Sequence, residues 1–284
     1  MSIVENRRQR LALDAAYRSQ RLRLANTVTS AVAFVWAQGF RERDQVIAEV
    51  LRIVEAGQAQ TVSLVDAYMA ATTQAVTGDG RTKGLDPANY TVGLLRNKAA
   101  EEVYSRPFGA LGAFLNQDQS LARSLEASTA SLSKLAATDL QLAQTHSARD
   151  WMDDERQIVG YSRVLGGGEH CELCKAASTR RYYVADLAAI HERCGCSVRP
   201  EYGDPGELTD LQRMKLEAPN YAVVAEPDTE LGVRLMANNW TGRPRGRYES
   251  DADWNYRYDP ETGRTEPGPK RAALDQSRRE TATA

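Results

Sequence analysis

The 284 residues are enough for one or two domains with a sizeable core, and they carry 36 Lys and Arg against 38 Asp and Glu. A net charge of −2 gives no global electrostatic reason to bind nucleic acid, so DNA contact is not supported by charge. A hydrophobic content of 42% suits extended helices and a polar tail better than one globule, and the longest wholly apolar run, Ala31 to Ala37, is far below the ~20 residues of a membrane span.

Residues 1–86 lack proline and predict two long helices. The first, from about Asn6 to Gln38, is rich in Ala, Leu, Arg and Gln, and Leu24, Val28, Val32 and Val35 mark its buried stripe. The second carries Ile47, Val50, Leu51, Val54, Thr61, Val65, Tyr68, Met69 and Thr72 at three-four spacing. Gly39 is expected to break the pair into an antiparallel hairpin. A loop over 77–87 follows, with Asp86-Pro87 as a helix entry.

A third helix is expected from Asn89 to Tyr104, stopping before Pro107. A fourth, the longest, is expected from Phe108 to Met152, with a near-heptad seam of Leu121, Leu125, Ser128, Leu132, Leu135, Asp139 and Leu142. Ser128 and Asp139 interrupt the seam and favour packing in a bundle over a free coiled coil. His146, near the end of this helix with Arg149 and Asp150 beside it, needs no catalytic role there. Ile158 to Leu165 turns strand-like, and Arg180 to Tyr183 predicts a second short strand. Gly166-Gly167-Gly168 lacks the Lys-Ser or Lys-Thr of a phosphate loop and is a turn. Beyond Tyr202 the prolines concentrate, and Gly242 to Ala284 has the composition of a tail that does not order itself; it is either a solubilising tail or a segment that folds on a partner through Trp240, Trp254, Tyr248, Tyr256 and Tyr258.

The chemistry is concentrated in one stretch. All four cysteines and two of the three histidines lie between His170 and Cys196. Cys171 and Cys174 form one pair, and His191 with Cys194 or Cys196 forms a second. This spacing points to one tetrahedral metal ion held by Cys171, Cys174, His191 and Cys194, with Cys196 a substitute for either of the last two. Zinc suits the thiolate-imidazole donor set, and in a loop with little apolar surface its role is structural. Two disulfides or reduced structural thiols are the alternatives. The opening MSIVENRRQRLAL has no apolar signal core, which favours reduced thiols.

The stretch from Gly160 to Tyr202 resembles the small domain of phage head morphogenesis proteins, the family typified by the Mu F minor head protein. The resemblance rests on Tyr161, Arg163 and Val164, the Cys171/Cys174 pair, Arg181 and Tyr183, the ending His191, Cys194, Cys196, and Pro200. It covers about fifty of the 284 residues; the rest is similar only in layout to Mu F-like minor capsid proteins of actinobacterial phages. It implies a mainly α protein with a long-helix N-terminal bundle (1–152), a small α+β Cys/His module (153–205) and a flexible C-terminal tail (206–284). It further implies a minor capsid protein in the virion head, assembled in the host cytoplasm with the portal protein, scaffold and major capsid protein as partners. Relatives in that family often carry the label capsid maturation protease.

No enzyme motif supports that label. There is no G-x-S-x-G elbow and no H-E-x-x-H, since His191-Glu192 lacks the second histidine. The zinc-deaminase pattern fails because Cys194 and Cys196 are one residue too close and lack the preceding proline. Cys171 with His191 would serve a cysteine protease only if they were not ligands. No catalytic residue is assigned; the protease arrangement left open is a serine protease with His146 as base and an unidentified serine. A nucleic-acid-binding zinc module is the weaker alternative, opposed by seven basic and eight acidic residues from Trp151 to Tyr202.

Overall fold

The computed structural model describes residues 3–38, 42–117, 119–166, 172–179, 181–187, 196–203, 222–228, 232–238, 256–259 and 264–267. Helix α1 (Ile3–Ala37) and helix α2 (Arg43–Thr77) have 35 residues each, about 52 Å at 1.5 Å per residue. They pack against each other and against α5 (Leu121–Asp153), with α4 (Ala100–Leu115) lying on α5 and α2. The chain is mainly α, with long N-terminal helices packed as a bundle, as the three-four spacing requires.

The shared core is built by stripes from each helix. Val28, Val32, Val35 and Trp36 of α1 meet Val46, Ile47, Val50, Leu51 and Val54 of α2, and Leu132, Ala136 and Leu140 of α5. Gly57 lets these three helices approach. A Cβ there would sit 2.6 Å from Val28 Cγ2 and 3.0 Å from Leu140 Cδ2, so the Val28 side chain would have to shift to admit it. The two polar members of the predicted seam are buried and bonded. Ser128 Oγ accepts from Trp36 Nε1 at 3.1 Å, and Asp139 accepts from Arg96 Nε at 2.5 Å and Tyr104 OH at 2.6 Å.

Between α2 and α5 the chain differs from the sequence expectation in three ways. Asp86 does open a helical turn, accepting from Ala88 N at 3.0 Å with Pro87 in the first position, but this is a 3-10 turn ending at Tyr90. The expected third helix is split into α3 (Val92–Arg96) and α4, because Asn97 takes a left-handed φ of 51° that ends the first piece. Pro107 does not stop a helix; it lies inside α4 and is buried. Val103, Tyr104, Pro107 and Leu111 form the buried stripe of α4, and their packing against the bundle outweighs the ~3 kcal/mol a mid-helix proline costs. The expected fourth helix therefore begins at Leu121 rather than Phe108. Ser120 caps it by accepting from Arg123 N at 3.4 Å, and at 33 residues it is shorter than α1 and α2.

Strand β1 (Ile158–Val164) follows, then α6 (Glu172–Ala177), β2 (Arg181–Tyr182), a 3-10 turn at Val184–Asp186 and β3 (Ser197–Tyr202). The three strands form an antiparallel sheet in the order β2-β1-β3. Both strands expected from the sequence are present. The described residues from Ile3 to Gly203 belong to one compact unit, helices and sheet together. In the segment read from sequence as a tail, the described residues include four further strands. Strand β4 (Ala222–Asp228) pairs with β5 (Gly232–Asn238), and β6 (Tyr256–Asp259) pairs antiparallel with β7 (Arg264–Pro267). Neither hairpin was read from the sequence: the alternating positions, Val233, Leu235 and Ala237 in β5 and Tyr256 and Tyr258 in β6, are few and set among prolines and charges.

Candidate functional site

The centre of the cysteine-bearing module is β1. Gly160, Tyr161, Ser162 and Arg163 are buried in succession, so both faces of this strand are covered. On one face Tyr161 stacks on Tyr182 of β2 with ring centroids 5.2 Å apart, and the Arg163 guanidinium lies 5.6 Å from the Tyr161 ring. Tyr161 pairs with Pro200 and Arg163 with Val198 across β3, which puts all of these on the same face. The Tyr182 hydroxyl donates to Ala177 O at 2.8 Å and fastens the end of α6 over that face.

Cys174 lies one turn before Ala177 in α6 and is buried. Cys196 immediately precedes β3 and is also buried; two residues before Val198, it continues the alternation onto the Tyr161 face. Val164 pairs with Ser197, so Cys196 stands at the end of β1 from which the chain leaves toward α6. The register places Cys196 on the Tyr161 face at that end of the sheet, and Cys174 is buried in α6, the helix fastened over the same face through Ala177. Cys171, His191 and Cys194 lie outside the described residues, as do Gly167 and Gly168. Among the described residues no three His, Cys, Asp or Glu side chains gather as a metal site.

The opposite face is fastened to the helices by a polar clamp. Asp14 of α1, buried, accepts from Tyr68 OH at 2.7 Å and from Arg199 NH1 of β3 at 3.3 Å. Arg10 donates to Pro200 O at 3.3 Å and Arg18 to Leu165 O at 2.9 Å. At the far end of β3, on the Pro200 side of the alternation, Tyr202 also reaches the helices: it shares a 2.7 Å hydrogen bond with Thr73 of α2, and burial pushes its phenol up to about 12. Glu201 accepts from Ser162 at 2.6 Å within the sheet. Sequence reasoning missed this clamp. Its residues come from positions far apart in the chain, and an Asp between arginines on a helix looks like any solvated face.

Comparison of the chain with protein-family models, with curated proteins and with solved structures gives no match. What the module does must therefore be argued from its own residues and from the motif they form.

His146 lies on α5, half-buried, with Nδ1 3.4 Å from the Arg149 guanidinium. Burial and then Arg149 hold its pKa below 6.5, against a smaller opposite pull from Asp150. It is neutral at neutral pH. Its hydrogen-bond partner among the described residues is Arg149 rather than a hydroxyl or thiol. Ser147, next to it, donates to Ala143 O at 2.6 Å along the helix.

Proposed function

We propose that this chain is a minor head protein of a tailed bacteriophage, acting in head morphogenesis and associated with the portal while the procapsid assembles. The observation that carries the reading is where the motif residues fall. Tyr161 and Arg163 of β1 share a face with Pro200 of β3, while Cys174 is buried in α6 and Cys196 just before β3; this gathering of motif residues around β1 supports the reading. The clamp through Asp14 and Arg199 fixes that module on a body of long helices, an arrangement suited to presenting a binding surface rather than to closing on a substrate.

Within this reading the module holds one zinc ion. Two buried thiols, one in α6 over the Tyr161 face and one just before β3, fit a thiolate-rich structural site, and the segments leading into α6 and into β3 carry the remaining candidate ligands Cys171, His191 and Cys194. The ion would cross-link α6 to the start of β3; the residues of this chain supply the shape around it.

The test is co-expression with portal, scaffold and major capsid proteins, followed by affinity isolation and intact-mass measurement of every component. A head protein co-purifies with portal-containing particles and leaves each partner at its encoded mass. Shortened capsid or scaffold, restored to full length by His146→Ala in a folded chain, would replace this reading with that of a maturation protease.

A further inference from the structure

We draw no further inference here: the strongest candidate, the open groove between α1 and α2 lined by Leu24, Thr27, Ala59 and Leu64, is a face of the helix pair for which nothing among the described residues shows what covers it.

Discussion

Asp139 is the residue on which the helical core turns. It is fully buried, and it pairs with Arg96, itself 3% exposed, and with the Tyr104 hydroxyl, whose ionisation burial and Asp139 push well out of reach. Its backbone carbonyl also accepts from Gln58 Nε2 at 3.4 Å. Removing one partner strands the other's charge away from water, so Asp139→Ala should cost about 3–5 kcal/mol in denaturant unfolding. Replacing the pair together, Arg96→Met with Asp139→Leu, should recover most of that loss, because the pair's net worth against apolar packing is small. A double variant as unstable as Asp139→Ala would show that the network does more than compensate its own desolvation. His146 makes the complementary case for a group kept neutral. Its folded pKa lies below the unfolded value near 6.5, so the unfolded chain binds the proton first as pH falls. Stability from this group is full above 6.5 and is lost as pH drops from there toward the folded pKa. The urea midpoint should therefore fall more steeply between pH 7 and 5 in the native chain than in His146→Gln; parallel curves would remove the effect.

At the scale of elements, α1, α2 and most of α5 could be read from the sequence because each repeats apolar residues at three-four spacing, and β1 from its short cluster of Ile158, Val159, Tyr161 and Val164. The interruptions could not. Asn97 ends α3 through a positive φ that asparagine tolerates, a property no periodicity reports. Pro107 reads as a stop, yet α4 runs through it because its stripe is buried on both sides of the proline. The candidate site was legible as a cysteine cluster, whereas its attachment through Asp14, Arg199, Arg10 and Arg18 depends on contacts more than a hundred residues apart. Gly57 belongs with these hidden features. In isolation Gly57→Ala should favour α2 by about 1 kcal/mol. Against Val28 Cγ2 at 2.6 Å and Leu140 Cδ2 at 3.0 Å the added methyl overpacks the three-helix contact, which typically costs about 1–3 kcal/mol. The expected net result is a lower melting temperature for Gly57→Ala. The same change in a Val28→Ala background should be better tolerated, because the clashing methyls are gone; equal penalties in both backgrounds would refute the close-approach explanation.

For the whole molecule the decisive question is what holds the cysteine module in shape. The helices form their own core, and among the described residues the module contributes six residues of α-helix, in α6. Losing a structural metal should therefore leave the far-ultraviolet helical signal almost intact while opening the segment between β1 and β3 to protease. The clamp on the opposite face, Asp14 with Arg199 and Arg18 with Leu165, should keep the strands near the helices for a time, so cleavage ought to begin after β1 rather than inside it. Elemental analysis of the purified chain should find about one zinc per molecule, as a four-ligand site demands. A chelator strong enough to strip that zinc should produce the cleavage without any substitution. This arm matters because Cys174 and Cys196 are buried, and Cys174→Ser or Cys196→Ser perturbs packing whether or not a metal is lost. Each of those variants should bind less zinc than the native chain. A native chain with no zinc, whose module resists protease equally with and without chelator, would return the cysteines to the role of reduced structural thiols.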